Sequence, residues 1–382
     1  MKPRLKEFYR NQMQAANQVI RIQTDLVRLE IPDPDGTVYY FMHQLTGQHT
    51  VEELAQLCNL SEEDVKRGVA MLHNHKLLDS DATDTYGLTP RELQRYRNNF
   101  TFYSVHESMH ENRYLFQERL KHSSVAILGL GGGGLLAVWL AAMGVGKIVG
   151  VDHDRVELNN LNRQILFTED DIGKRKTDVI RERLQAMNRD IDVQVVNRQI
   201  DSAHSVKDII KDADVVVCVI DTPPVQASRY VNAACLHYRK PVFHAGLRHG
   251  SGFMYRVVPF ETGCTDCLCM QSIRRNSKVF DTIKSIASGE LDSRSFMNPS
   301  FAPNVSLLTS VLASEIAKYL TNYSPVFPLP YTKINLQDMR FTHEEISRIE
   351  DCPSCGRNRD IGAEPIPLDA LVKLGSEKMA AI

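Results

Sequence analysis

A run of glycines between two apolar stretches has the residue types that bind a nucleotide phosphate. Residues 125–128 are long enough for a buried parallel strand, and five of the next six residues, 129–134, are glycine. Residues 135–143 are apolar and predict a helix, and 147–151 predict a second strand that ends in Asp152. This is the layout of a dinucleotide site, in which backbone amides and a helix N-terminus face phosphate and the acid binds a ribose hydroxyl.

Basic and polar side chains downstream of that acid indicate a triphosphate ligand. Arg163, Gln164 and Lys176 follow it closely in the chain. A dehydrogenase does not need them beside its first strand–helix–strand unit, whereas positive charge stabilises the negative charge that builds up on a transferring phosphorus. The alternative is that Arg163 and Lys176 only cover a solvated loop and helix, as we expect for Lys174 and Arg175.

A second acid, Asp221, follows the apolar run 215–220, which predicts a strand. Ligands of open α/β sheets bind at the carboxyl ends of the strands. A carboxylate there can hold Mg²⁺ against ATP oxygens, because Mg²⁺ prefers one or two carboxylates together with phosphate and water. The same side chain could cap a helix that starts near Val225, and the two roles are compatible.

Two Cys-x-x-Cys pairs predict a zinc site. Cys264 and Cys267 form one pair, and Cys352 and Cys355 form the other. Each pair places two thiolates on a tight turn, which is half of a tetrahedral zinc site. Closing the loop between the pairs costs about 4 kcal/mol, whereas structural zinc binding is worth roughly 10–16 kcal/mol in small peptides. Zinc therefore outweighs the cost of joining the pairs; the alternative is four unliganded thiols.

These motifs together resemble those of the ThiF/MoeB superfamily, the adenylating enzymes related to ubiquitin-activating enzymes, and most of all its MccB-like and PaaA-like members that modify ribosomal precursor peptides. The resemblance covers roughly residues 95–356. It implies a Rossmann-like, doubly wound α/β sheet with the zinc site away from the nucleotide. It also implies that ATP and Mg²⁺ are held by a set of residues comprising Gly129, Gly131, Gly132, Asp152, Asp154, Asn160, Arg163, Gln164, Lys176 and Asp221.

The resemblance further implies a homodimer in which an arginine reaches the ATP site of the partner subunit. Relatives carry this arginine in an Arg-Tyr-x-Arg element, and this chain reads Arg-Tyr-Arg-Asn from Arg95 onward. We predict Arg97 for the role; Arg95 is an alternative, and residues 112–116 are a competing match with phenylalanine at that position. A helix predicted at 305–320 corresponds to a dimer-interface helix, and 277–297 to a loop that closes over the substrate.

The first ninety or so residues predict a separate winged-helix-like domain, 1–92, ahead of the adenylation domain, 93–382. Its predicted elements are strands at 19–22 and 26–31, a segment at 38–45 that fits either a strand or a helix, and helices at 52–58 and 63–75. The helix nearest to a recognition helix has as many acidic as basic residues, so no nucleic-acid partner is expected. The domain resembles the precursor-peptide recognition element, which takes a leader peptide as an added strand; the alternative is a structural cap or a dimer element.

Length, composition and charge limit the classes of protein and of partner that fit the sequence. The chain has 382 residues, of which 43% are hydrophobic and 24% charged, with a net charge of −2. These values are typical of a globular protein and give no attraction to nucleic acid or acidic membranes. No apolar run approaches ~20 residues and no secretory signal is visible, which predicts a cytoplasmic protein without a membrane partner. Eight cysteines are then thiols or metal ligands.

The predicted function is ATP-dependent activation of a carboxylate in a ribosomal precursor peptide, in the biosynthesis of a peptide natural product such as an antibiotic. The carboxylate attacks the α-phosphorus of MgATP and forms an acyl-adenylate, with positive charge from Arg163, Lys176 and Arg97. The resemblance implies that a peptide nitrogen then captures the adenylate or that glutamates cyclise. The rival hypotheses are an activator of a ubiquitin-like sulfur carrier and a winged-helix regulator with a nucleotide-sensing domain.

Overall fold

The protein has two compact units, Met1–Arg119 and Leu120–Ile382. A computed structural model describes residues 2–24, 27–79, 84–108, 110–291, 300–357, 361 and 363–377. Among these described residues, no helix combines the length and the apolar character needed to cross a membrane. The predicted domain boundary after residue 92 stays a prediction, because compactness does not test where one function ends and another begins.

The first unit begins with a three-stranded antiparallel sheet and continues with helices. Its strands pair in the order β1–β2–β3, so β3 is an edge strand. Its elements, in chain order, are α1 (Glu7–Arg10), β1 (Met13–Ala16), β2 (Val19–Gln23), β3 (Arg28–Pro32), α2 (Thr37–Gln44), α3 (Val51–Cys58), α4 (Glu62–Asn74), α5 (Pro90–Arg95) and α6 (Arg97–Tyr103). The sequence predicted strands followed by two short helices, and the structure has three strands followed by those two helices, α3 and α4, with α2 before them.

Helix α2 resolves the segment whose periodicity fitted either a strand or a helix. The carboxylate of Asp33 accepts hydrogen bonds from the amides of Val38 and Tyr39, at 3.0 and 3.1 Å, in the first turn of α2. A carboxylate at this end satisfies amides that have no partner within the helix. Phe41 and Met42 are buried in the core of the unit. Leu26, the start of the second predicted strand, lies outside the described residues.

The second unit is an α/β domain built on one eight-stranded sheet. After α7 (Arg113–Lys121), which spans the boundary between the units, its elements are β4 (Ser124–Leu128), α8 (Gly132–Met143), β5 (Lys147–Asp152), α9 (Lys176–Met187), β6 (Asp192–Asn197), α10 (His204–Ile210), β7 (Val215–Cys218), α11 (Gln226–Tyr238), β8 (Val242–Arg248), β9 (Ser251–Val257), α12 (Thr265–Arg275), α13 (Ser277–Ala287), α14 (Ala302–Thr321), β10 (Tyr331–Asn335), β11 (Phe341–Glu344) and α15 (Leu368–Glu377).

The strand order confirms the predicted Rossmann-like, doubly wound fold. The sheet runs β11–β10–β9–β8–β7–β4–β5–β6, and the five strands from β8 to β6 are parallel, whereas the other three are antiparallel. All five residues of β4 are buried, as expected for a strand covered on both faces. The direction of winding reverses between β4 and β7, and ligands of such sheets bind outside the carboxyl ends of the strands at that point.

One predicted loop is partly helical. Residues 277–287 of the expected substrate loop form α13, whose apolar residues Val279, Phe280 and Ile283 pack in a cluster with residues of α12 and α15. The sequence pattern gave a polar average for this stretch, whereas the burial of one face decides its conformation. Residues 292–297 of the predicted loop lie outside the described part of the chain.

Candidate active site

A cavity of about 430 Å³ opens where the winding of the sheet reverses. The segments that follow β4, β5, β6 and β7 contribute to its wall, together with one face of α14. It contains all ten residues that the family resemblance assigns to ATP and Mg²⁺: Gly129, Gly131, Gly132, Asp152, Asp154, Asn160, Arg163, Gln164, Lys176 and Asp221. Residues that are up to 92 positions apart are thus brought to one place, because the carboxyl ends of parallel strands share one edge of the sheet.

The glycine turn and the start of α8 approach neighbouring strands more closely than residues with a side chain could. Gly129 has a φ of +96°, and a Cβ atom on it would lie 2.9 Å from the carbonyl oxygen of Val219. A Cβ on Gly133, inside α8, would lie 2.9 Å from a methyl group of Ile127 in β4. The first glycine therefore permits the turn, and the second permits close packing of α8 on the sheet. Both effects place the N-terminus of α8 at the cavity, where it attracts an anion.

The carboxylate of Asp152 is fixed at the end of β5. It is 9% exposed, and its two oxygens accept hydrogen bonds from the amides of Leu130, at 2.7 Å, and Asp154, at 2.8 Å. The first bond ties the glycine turn to β5. Each carboxylate oxygen can accept more than one hydrogen bond, so this acid can also accept one from a ligand hydroxyl in the cavity.

Lys176 is a buried cation with one described ionic partner. It is the first residue of α9, and its side chain is 6% exposed. Its Nζ atom donates to a carboxylate oxygen of Asp154 at 2.8 Å, while its backbone amide donates to the carbonyl of the same residue at 3.1 Å. The Asp154 side chain is half exposed. An ammonium group has three donors, so Lys176 is held in position and still has donors to offer to an anion.

Arg163 and Gln164 lie in the turn that follows a short 3-10 helix, Leu158–Asn160, after β5. The Nη1 atom of Arg163 donates to the carbonyl of Asn159 at 2.7 Å and to the side chain of Asn162 at 3.0 Å. Gln164 is 8% exposed, and among the described residues its Oε1 atom has no hydrogen-bond partner. Burying an unpaired amide oxygen costs about 1–3 kcal/mol. This oxygen is therefore available to a donor group of a ligand, as the prediction of a binding role requires.

Asp221 lies beyond the end of β7, which ends at Cys218, two residues before the predicted end of that strand. Its side chain is exposed and lines the cavity. Helix α11 begins at Gln226 with Val225 as its N-cap residue, so Asp221 is not the N-cap residue of this helix. An exposed carboxylate in this cavity is the kind of oxygen ligand that Mg²⁺ takes, and the residue fits the predicted metal role.

The sequence patterns missed part of the cavity wall. Arg198 and Ile200 follow β6 and line the cavity, and so do four residues of α14, Val305, Leu308, Thr309 and Leu312. Arg198 had a usable signal in the sequence, since it closely follows the valine-rich run 193–196, as Asp152 and Asp221 follow apolar runs. No sequence signal identified the residues of α14 as cavity lining, because the approach of this helix to the glycine turn depends on tertiary packing.

Arg97 is the one predicted catalytic residue that belongs to the first unit. It is the first residue of α6 and is exposed. Its role as an arginine that reaches the ATP site of a partner subunit stays a prediction.

The four predicted zinc ligands form a buried cluster. Cys264 Sγ lies 3.9 Å from Cys267 Sγ and 3.6 Å from Cys352 Sγ, and Cys267 Sγ lies 3.5 Å from Cys355 Sγ. Four sulfurs around one zinc ion at about 2.3 Å are about 3.8 Å apart. Hydrogen bonds from the other three thiols, that of Cys264 first, hold the pKa of Cys355 below its ordinary value. The donor set and its spacing fit a structural zinc ion.

A buried ion pair adjoins this cluster. Asp266, between the first two cysteines, accepts hydrogen bonds from Arg229 of α11 at 2.7 and 3.2 Å, and both side chains are 0% exposed. Ser354, between the other two cysteines, donates to the same carboxylate at 2.7 Å. Arg229 also donates to Gln226 at 2.6 Å. The network connects the two cysteine pairs with α11 and satisfies the buried charges.

Cys269, next to the zinc cluster, lacks the environment of a reactive thiol. Burial, reinforced by the negative charge of Asp266, raises the pKa of Cys269 to about 12. A catalytic cysteine must form its thiolate near neutral pH, so acyl transfer to this thiol is not expected.

Comparison with known proteins identifies the family of the chain. The model of the ThiF family matches residues 96–355, more than half of the chain. The heterocyst protein HesA of Trichormus variabilis is 27% identical over 273 residues, which are 71% of this chain and 91% of that protein. The sulfur carrier protein ThiS adenylyltransferase of Escherichia coli is 30% identical over 257 residues, 65% of this chain and 91% of that protein.

The solved structures agree on the fold. Escherichia coli MccB, crystallised with AMPCPP and MccA, superposes with a TM-score of 0.72 at 24% identity, covering 93% of this chain and 100% of that one. This similarity confirms the predicted adenylation fold. The range that the family model matches includes the glycine turn, the cavity residues of the second unit and all four cysteines. The chain belongs to the ThiF family and is an ATP-dependent adenylating enzyme.

Proposed function

We propose that the protein activates a carboxylate of a ribosomally made precursor peptide as its acyl-adenylate, in MccB-like or PaaA-like chemistry. The observation that carries this is the cavity, whose lining includes the glycine turn, three carboxylates and the cations Arg163 and Lys176. A buried, oriented lysine in the same cavity as the glycine turn can stabilise the negative charge that builds up on the phosphates during the reaction.

The chemistry is a displacement at the α-phosphorus of ATP. One peptide carboxylate oxygen forms the new P–O bond, and the bond to the bridging oxygen breaks, so pyrophosphate leaves with the electron pair. The amides of the glycine turn bind phosphate oxygens, Asp152 binds the ribose, and Lys176 and Arg163 stabilise charge on the phosphates. Mg²⁺, held by Asp221, would neutralise phosphate charge when bound.

The proposal assigns peptide binding to the first unit. Strand β3 is an edge strand, and an edge offers unpaired amides and carbonyls to an added strand. In the proposal, the leader peptide pairs along β3, and tethering raises the local concentration of the reacting carboxylate. The predicted homodimer, with Arg97 completing the site of the partner subunit, belongs to the same proposal.

The test is ATP–pyrophosphate exchange with short peptides encoded beside the gene. The proposal expects exchange that depends on one peptide and falls steeply when its N-terminal leader part is removed. A scrambled leader fused to the same C-terminal part is the matched control. Exchange that is equally fast with the intact, scrambled and leaderless peptides would contradict the leader role, and exchange with none of them would contradict the peptide substrate.

A second candidate is adenylation of a small sulfur-carrier protein. The observation that favours it is the 30% identity with the Escherichia coli ThiS adenylyltransferase. The first unit counts against it, because that activity does not require a peptide-recognition domain. A carrier ending in Gly-Gly that supports fast exchange, where the peptides do not, would favour this candidate. The regulator hypothesis is not retained, since the chain is an adenylating enzyme of the ThiF family.

A further inference from the structure

We propose that Arg198 is the platform on which the adenine base of ATP stacks, and that Asp208 positions its guanidinium. The inference rests on the proposed function in one respect, because it takes ATP as the ligand of the cavity. It assigns a base-binding role to a residue that none of the nucleotide motifs includes.

The strand order indicates where the base lies. The phosphate-binding turn follows β4, and the ribose-binding acid Asp152 ends β5. The next strand on that side of the sheet is β6, and neighbouring strands are about 4.8 Å apart. A nucleotide laid across these strand ends therefore carries its base toward the end of β6. The residues that line the cavity there are Arg198 and Ile200.

The guanidinium of Arg198 is fixed along one edge. Its Nη1 atom donates to the two carboxylate oxygens of Asp208 at 2.8 and 2.9 Å and to the carbonyl of Ser205 at 3.1 Å, both residues of α10. Among the described residues, no aromatic ring lies over this guanidinium. A planar, delocalised cation held by one edge has its faces available, and such a face stacks well on a base.

The neighbouring wall suits a base better than a phosphate. Ile200 is 4% exposed and Val151 is 1% exposed, and both line the cavity. Apolar side chains next to a planar cation exclude water from the faces of an aromatic ring. The cations assigned to the phosphates, Arg163 and Lys176, follow β5 in sequence, and Arg198 alone among the cavity cations follows β6.

The test separates base binding from charge. We would titrate the intact protein with MgAMPCPP and, separately, with inorganic tripolyphosphate, which has the charge but no base. Arg198→Ala is expected to bind AMPCPP about 10-fold more weakly with tripolyphosphate binding unchanged. Arg198→Lys keeps the charge without the plane and is expected to lose most of the same affinity. Asp208→Asn is expected to lose less, about 3-fold, because Ser205 still holds the guanidinium.

The matched control is Arg181→Ala, which removes an arginine of α9 that is paired with Asp178 and lies outside the cavity lining. Its binding of both probes is expected to match the parent. Unchanged AMPCPP binding by Arg198→Ala, equal loss of both probes, or full recovery in Arg198→Lys would overturn the base platform. If Arg198→Ala does not fold, Arg198→Lys and Asp208→Asn carry the test. A parent protein that binds neither probe contradicts the proposed function instead.

Discussion

The nucleotide cavity and the cysteine cluster both contain buried charged groups, but the partners of these groups differ between the two regions. In the cavity, the buried Lys176 has as its described ionic partner Asp154, whose side chain is half exposed. At the cluster, Arg229 and Asp266 are each 0% exposed and bond to one another and to further buried polar groups. In the cavity, hydrogen-bond donors of Lys176 remain for a ligand, whereas the buried charged groups at the cluster bond to other groups of the protein.

This difference indicates that the cavity binds a ligand, whereas the cysteine cluster stabilises the fold. An ion pair that includes an exposed carboxylate exchanges its partner at low cost, because water and ligand phosphates compete for the cation. A fully buried pair has no such exchange, and breaking it leaves an uncompensated charge. Substitutions in the cavity should therefore change catalysis with little effect on stability, and substitutions around the cluster should do the reverse.

The largest effect is expected from the metal ligands. Cys352→Ser, or removal of zinc by a chelator, should abolish the cooperative unfolding transition of the second unit, because structural zinc binding contributes roughly 10–16 kcal/mol in small peptides. Differential scanning calorimetry with and without added Zn²⁺ measures this. Cys235→Ser, a buried thiol outside the cluster, is the control. A Cys352→Ser protein that unfolds like this control, with no bound zinc, would contradict the structural role.

A smaller effect is expected from the buried ion pair. Arg229→Met leaves the carboxylate of Asp266 buried without its cation and should lower the free energy of unfolding by about 3–5 kcal/mol. Arg181→Met, in an exposed pair with Asp178, should change it by less than about 1 kcal/mol. Urea unfolding of both variants provides the comparison. Equal destabilisation by the two substitutions would show that the buried ion pair contributes no more to stability than the exposed one.

The smallest effect concerns His244, a buried residue of β8 that stacks on Tyr255. Burial lowers the pKa of His244 to about 3, so the folded protein keeps it neutral while the unfolded chain protonates it below about 6.5. The unfolded state then binds more protons, and stability falls as the pH is lowered through this range. Between pH 6.5 and 5, the parent should lose about 2 kcal/mol more than His244→Phe in urea unfolding. Parallel curves would show that the imidazole is protonated in the fold.

The sequence was most informative where one local motif determines one local geometry. The glycine turn with Asp152 and the two Cys-x-x-Cys pairs were recognisable because residue type and spacing alone set the phosphate-binding turn and half a metal site. The sequence could show that Arg198 follows a valine-rich run, but its place in the cavity depends on β6 lying next to β5, which is a property of the whole sheet. Helix α13 was missed because burial of one face, and not average polarity, decides its conformation.

Lys176 provides the most direct test of the central claim, that the cavity splits ATP between its α- and β-phosphorus. The measurement is single-turnover transfer of AMP from α-labelled ATP to the cognate peptide by Lys176→Ala, with Lys174→Ala as a neighbouring exposed control. We expect a loss of about 10²–10³-fold in rate and an unchanged unfolding transition for Lys176→Ala, with a parental rate for Lys174→Ala. A parental rate of AMP transfer by Lys176→Ala would contradict the account.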